Sequence, residues 1–238
     1  MNRNMKSYLD YTNTPWGKLF YQCVWEQLPV CNGKNILDFG SGFGITTNHL
    51  SVNNSVTAVE PSRTMIKARC KEYDYKQIKG SVDILKKITD NTFDCIICHN
   101  VLEYIENRKE LLSEFTRILK RDGFISIVKH NKAGRIMQKV IFDYDIKSVN
   151  MLLDNKNLKS GNFGEINIYS DSSLEEYSDF KLYIEKVMGI CTFYGLQNND
   201  IKSDPKWITD MKSLEMRVSE IDEFRDIAFF HHIILKKK

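Results

Sequence analysis

The sequence predicts an α/β fold with a parallel sheet covered on both faces. Three observations carry that expectation. Short apolar runs of strand length alternate with amphipathic helical segments through residues 16–128. One of those runs ends in a glycine-rich turn that leads into a helix. Hydrophobic residues make up 42% of the 238, enough for a sizeable core and too many for a disordered chain.

The elements follow in order. Trp16, Phe20, Val24 and Leu28 recur at i+4 spacing and predict a helix with one apolar stripe over 16–28. Asn35–Phe39 reads as a short strand, Thr46–Leu50 as the start of a helix, and Val56–Glu60 as a second strand. Pro61 sits where the first turn of a helix tolerates proline, and Met65, Ile66 and Cys70 give that helix its apolar side. Lys76–Gly80 is a weak third strand and Phe93–His99 a strong fourth. Leu111, Leu112, Phe115, Ile118 and Leu119 make an amphipathic helix that ends at Asp122-Gly123, before a fifth strand, Phe124–Val128. Residues 131–168 are polar, rich in Asn and Lys, and read as an insertion over the site. Leu174–Met188 then reads as helix, Ile190–Tyr194 as strand, Asp204–Phe224 as helix and Phe229–Leu235 as a last strand. The expected organisation is a single domain over 1–238, with residues 1–30 as an N-terminal helical lid.

Composition removes several classes of function. No apolar run approaches the ~20 residues a membrane span needs, and no apolar stretch follows the charges at the N-terminus. The expectation is a cytoplasmic protein with no membrane partner. The balance of 34 basic against 31 acidic residues leaves +3, which permits an anionic partner without arguing for one. Six scattered cysteines read as reduced thiols. Cys95 and Cys98 lie in a strand-like run, where positions i and i+3 face opposite sides, so they read as core residues rather than a metal or redox pair. His231 and His232 also point opposite ways, and with no spaced His/Cys set in the chain no metal is expected.

The informative segment is Asp38-Phe-Gly40-Ser41-Gly42-Phe-Gly44, after a strand and before a helix. Glycine lets the backbone turn sharply and lets a ligand approach it, and helix-start amides can donate to ligand oxygens. Glu60 ends the next strand, where an acid at the carboxyl edge of a doubly wound sheet accepts hydrogen bonds from ribose hydroxyls. The dinucleotide fingerprint needs a third glycine where this chain has Ile45, which disfavours NAD and leaves a nucleoside without a pyrophosphate.

With these residues the chain resembles the class I S-adenosylmethionine-dependent methyltransferases. The likeness rests on Asp38, Gly40, Gly42 and Gly44, on Glu60-Pro61-Ser62-Arg-Thr-Met65, on Gly80-Ser81-Val82-Asp83, on Phe93–Glu103, and on Leu119-Lys-Arg-Asp-Gly123. It implies a doubly wound, mainly parallel seven-stranded sheet of the Rossmann-like methyltransferase type, with S-adenosyl-L-methionine as cofactor. It also implies that Gly40, Ser41, Gly42 and Gly44 flank the methionine part and that Glu60, followed by Pro61, holds the ribose. Met65 packs near the adenine and Asp83 accepts from its amine, with Ser81 and Val82 close by. His99 and Asn100 lie at the sheet edge near the sulfonium.

Outside this core the chain is similar to the bacterial enzymes that methylate the carboxyl group of 5-carboxymethoxyuridine in tRNA wobble positions. The likeness runs through Gly17-Lys-Leu19, Val24–Leu28, His99–Ile105 and Asn131-Lys132-Ala-Gly134-Arg135-Ile-Met137. Phe20, His130 and Phe229 stand where that family carries Arg, Tyr and Arg. A carboxylate acceptor needs no base, whereas an amine or hydroxyl acceptor does, and His130 at the end of strand five is then the candidate. Trp16, Asn131, Lys132 and Arg135 are the candidate substrate contacts. Lys129, Lys132, Arg135 and Lys139 form the densest basic cluster, either a phosphate contact or the solvated face of a cap helix. Three readings stay open: a tRNA methyltransferase, a small-molecule methyltransferase with 131–168 as substrate cap, and a non-catalytic module that binds the cofactor.

Overall fold

The structure is a computed structural model that describes residues 3–156, 158–160 and 164–238. Two helices open the chain, α1 (Arg3–Thr12) and α2 (Pro15–Gln27). Strands and helices then alternate: β1 (Asn35–Phe39), α3 (Ile45–Leu50), β2 (Ser55–Glu60), α4 (Arg63–Lys67), β3 (Lys76–Lys79), α5 (Val82–Leu85), β4 (Phe93–His99), α6 (Arg108–Ile118) and β5 (Leu119–His130). There follow α7 (Lys132–Ile141), α8 (Ile146–Leu153) and the antiparallel pair β6 (Leu158–Ser160) and β7 (Gly164–Ile166). The chain ends with α9 (Ser173–Tyr177), β8 (Leu182–Ile190), α10 (Pro205–Val218), α11 (Asp222–Arg225) and β9 (Phe230–Lys237).

Seven strands form one sheet in the order β3-β2-β1-β4-β5-β9-β8, and its β3–β2, β2–β1, β1–β4 and β4–β5 pairings are parallel. Ile36 and Leu37 of β1 and Ile96 and Ile97 of β4 are fully buried, as strands covered on both faces require. The chain steps outward from β1 to β2 and β3, then returns to β4 on the other side of β1. The loops after β1 and β4 therefore flank the topological switch point, where open α/β sheets bind ligands.

Contacts gather the chain into two compact units. Leu28–Val128, Tyr169–Lys186 and Ile233–Lys238 form a sheet unit; Met1–Gln27, Lys129–Ile168 and Val187–His232 form a helical unit. The segments read as lid and insertion fall in the helical unit except for residues 28–30, and residues 1–2, 157 and 161–163 of them lie outside the described residues. Within the helical unit His232 Nδ1 lies 2.9 Å from Gln27 Oε1, and Gln27 Nε2 donates to the Gly189 carbonyl at 3.0 Å, tying α2 to β8 and β9. Burial alone pushes His232 down to about 3, so the bond is between neutral groups.

Several elements differ from expectation. The helix expected over Leu174–Met188 stops at Tyr177, because Asp179 and Phe180 take left-handed φ of 52° and 56°, and the alternating run from Leu182 continues as β8. The strand expected at Ile190–Tyr194 ends at Ile190, where Cys191 turns at φ 65°. Asp122-Gly123 does not end α6. It lies in a register shift within β5, opposite Phe93 and Cys95. Pro61 precedes the helix, whose N-cap is Ser62, with Ser62 Oγ accepting from the Met65 amide. Residues 131–168 hold two helices, α7 with one strongly apolar side.

Candidate functional site

The loop after β1 is held by its backbone. The Gly40 and Ser41 amides donate to the Val59 carbonyl at 2.8 and 3.1 Å, which pins the turn to the end of β2. Gly40 has φ 78°, and a Cβ there would lie 2.3 Å from Val101 Cγ2, so only glycine lets the loops after β1 and β4 meet. Gly42 has φ 54°, and a Cβ added there would meet nothing closer than Met65 Sδ at 4.0 Å. Protein packing does not fill the space on that side.

Two acids organise this edge. Glu60 is 5% exposed; its Oε2 accepts from the Gly42 amide at 2.9 Å and its Oε1 from the Ser62 amide at 2.8 Å. Burial raises its pKa, and the two amides oppose the rise. Asp38 is buried beneath the loop and accepts from the Thr47 hydroxyl of α3. Burial lifts Asp38 to about 6, the Glu60 charge adds to the rise and the Thr47 bond works against it. Asp38 therefore positions α3 under the loop. The Gly80 amide donates to the Glu60 carbonyl at 3.3 Å, bringing Ser81, Val82 and the exposed Asp83 to the same edge. Across β1, Asn100 stands at φ 55°, its amide donating to the Val128 carbonyl at 2.7 Å, and His99 Nε2 lies 2.8 Å from Ser126 Oγ.

Two buried polar atoms at this edge, Ser41 Oγ and Asn100 Oδ1, have no hydrogen-bond partner. Buried polar groups are almost always bonded, so both atoms have capacity left for a polar ligand. Together with the open face of Gly42 and the buried carboxylate of Glu60, they fit a nucleoside bearing an amino-acid chain. The sheet unit thus brings together the cofactor residues expected from the sequence.

Trp16, His130, Asn131, Lys132 and Arg135 belong to the helical unit. Asn131 is committed to structure: its Nδ2 donates to the Asp226 and Ala228 carbonyls at 2.8 and 2.9 Å. Lys132 Nζ donates to Asn155 Oδ1, Arg135 Nη1 to Gln138 Oε1, and Lys139 pairs with Asp143 at 2.6 Å. Lys129 is 3% exposed, so the four cations do not form one solvated face. His130 packs on Phe230 with ring centres 4.8 Å apart. Burial, aided by the Arg135 and Lys129 charges, pushes it down to about 3, which makes it a weak proton acceptor.

Sequence reasoning missed the cleft of this unit, about 630 Å³, whose walls include Tyr11, Trp16, Phe142, Tyr194 and Phe230. It is lined by residues from α1, α2, the end of α7, the 191–202 segment and the start of β9, so no single stretch signals it. A 3-10 turn, Asn199–Ser203, brings Lys202 to it. Cys95, expected in the core, is buried with its Sγ 3.3 Å from Cys31 Sγ. Among the described residues no group of three or more His, Cys, Asp or Glu is placed to hold a metal, and no helix is long and apolar enough to cross a membrane.

This architecture is the Rossmann-like methyltransferase fold. Residues 37–127 match the family Methyltransf_11, described as a methyltransferase domain. A chain of the complex between the Haloferax volcanii Trm112 methyltransferase activator and a methyltransferase shares the fold at TM-score 0.66 and 14% identity, over 98% of this chain and 93% of that one. The uncharacterized protein MJ0638 of Methanocaldococcus jannaschii is 34% identical over 112 residues, 47% of each protein. A ubiquinone biosynthesis O-methyltransferase of Glaesserella parasuis is 28% identical over 120 residues, 46% of this chain and 50% of that protein. The chain spans about half the length of the curated relatives it matches. The matched family implies S-adenosyl-L-methionine as the cofactor, and the loop edge fits it.

Proposed function

We propose that the protein is an S-adenosylmethionine-dependent methyltransferase with a small-molecule acceptor, the sheet unit holding the cofactor. One observation carries the cofactor half: Gly42 opens on free space while its own amide is held by the buried Glu60. When bound, the cofactor supplies a sulfonium methyl, an electrophilic carbon open to in-line displacement. Gly40, Ser41 and Gly42 orient the amino-acid end, with Ser41 Oγ and Asn100 Oδ1 as unfilled polar contacts. Glu60 has lone pairs that would take the ribose hydroxyls, and the exposed Asp83 would accept from the adenine amine. In-line transfer depends mainly on alignment, which fixed donors and a rigid sheet edge provide. His130 at about 3 holds no proton near neutral pH and is too weak a base to remove one from an ordinary hydroxyl, which favours an acceptor that is already anionic.

The aromatic cleft supports the small-molecule reading, as does the O-methyltransferase relative. A tRNA wobble-uridine carboxylate is the second reading. It is favoured by Lys132, whose ammonium donates to the neutral Asn155 side chain, which leaves its charge uncompensated. Incubation with methyl-labelled cofactor and separate pools of total tRNA and small metabolites decides: label in the metabolite pool is expected. Label in tRNA reverses the acceptor, and label in neither leaves a binding module.

A further inference from the structure

We infer that the cleft of the helical unit binds a small planar carboxylate, with Lys202 as its charge partner. The inference goes beyond the methyltransferase reading, and the binding does not rest on it. Lys202 is 5% exposed. Its Nζ donates to Asn199 Oδ1 at 2.9 Å and lies 5.1 Å from the centre of the Trp16 ring. An ammonium has three donors, so two are left after Asn199. Among the described residues no carboxylate pairs with it, and no Asp or Glu lines the cleft. A buried ammonium is costly without an anion, and a neutral amide and an aromatic face compensate only in part. Burial accordingly draws the Lys202 pKa down.

The surroundings suit a flat ligand and are fixed in advance. Tyr11, Phe142 and Phe230 present rings to the cleft. The buried Glu215 accepts from the Thr192, Phe193 and Tyr194 amides at 2.9, 2.8 and 3.1 Å, which locks the loop behind Lys202. Gln197 is held by Trp207 Nε1 at 2.8 Å. The cleft, about 630 Å³, falls within the usual range for small-molecule sites. One lysine balances one carboxylate, whereas a phosphate monoester carries about −1.5 to −2 and leaves excess charge in a desolvated site.

Calorimetric titration of the full chain with benzoate, methyl benzoate and phenyl phosphate tests this without any variant. Benzoate is expected to bind at least tenfold tighter than the other two. Lys202→Met should weaken benzoate at least tenfold and leave methyl benzoate unchanged, with Lys202→Arg recovering part of the loss. Phe142→Ala, at an exposed position, should weaken acid and ester alike. Binding of S-adenosylmethionine, measured separately, should be the same in all variants. Equal affinity for acid and ester, no benzoate binding, or an indifferent Lys202→Met overturns the inference. Should benzoate bind as described while S-adenosylmethionine does not bind the parent chain, the carboxylate site stands and the methyltransferase reading falls.

Discussion

The loop after β1 and the cleft of the helical unit are both ligand-shaped, but they are made differently. The loop is a backbone site. Its shape comes from left-handed glycines at 40, 42 and 44, and its amides are pinned by the Val59 carbonyl and the Glu60 carboxylate. The cleft is a side-chain site, with aromatic walls from five separate segments and one buried cation. A backbone site fails abruptly when one Cβ is added. A side-chain site loses affinity contact by contact.

The largest effect should follow Gly42→Val. A β-branched residue at φ 54° is strained, and its side chain fills the open space beside the turn. Cofactor affinity is expected to fall by about 3 kcal/mol or more, roughly a hundredfold; a calorimetric affinity equal to the parent's would mean that the open face is not the ligand's.

Asp38 supplies the next test, and it reads stability rather than binding. A carboxyl held at about 6 when folded, against the usual 3.8, binds its proton more tightly in the native state. That contribution is intact below pH 4 and is lost as pH rises to 6. Asp38→Asn keeps an acceptor for Thr47 and removes the titration. The stability lost by the parent between pH 4 and 7, relative to the variant, should be about 3 kcal/mol at 1.36 kcal/mol per pKa unit. Parallel denaturation curves at the two pH values would argue against a buried, protonated Asp38.

Glu60→Ala should weaken cofactor binding by about 1–3 kcal/mol, since a charged hydrogen bond to ribose and the hold on the Gly42 amide are lost together. The 2′-deoxy analogue should bind the parent weakly and the variant no worse. Smallest is His130→Phe. With its titration at about 3, His130 puts no inflection in a rate profile between pH 5 and 8, and the variant's profile should have the parent's shape. A fall in rate on the acid side, centred between pH 5 and 8, that vanishes in the variant would restore His130 as a base and break the contrast between the two regions.

The first region was legible and the second was not. Asp38, Gly40, Gly42 and Glu60 lie within one strand-turn-helix-strand unit, where sequence distance and spatial distance run together. The partner of Asp38, Thr47, was not foreseen, because a threonine in a helix carries no mark of the acid it caps. Asn131, expected as a substrate contact, clamps the 226–228 turn, a role set by carbonyls far along the chain. The helix expected over 174–188 failed because its apolar residues fit both periods, and two left-handed residues at 179 and 180 decided for a strand.

By itself the chain's order of residues determined the parallel sheet through β5, the glycine turn and the acid one strand over, because periodicity and glycine's missing Cβ act locally. Only the tertiary structure decided that Lys202 is buried without a carboxylate, that Lys129 and Lys139 are withdrawn from the basic cluster, and that His130 stays neutral. Desolvation and charge pairing depend on what packs around a group, and those neighbours come from elements that no local pattern joins.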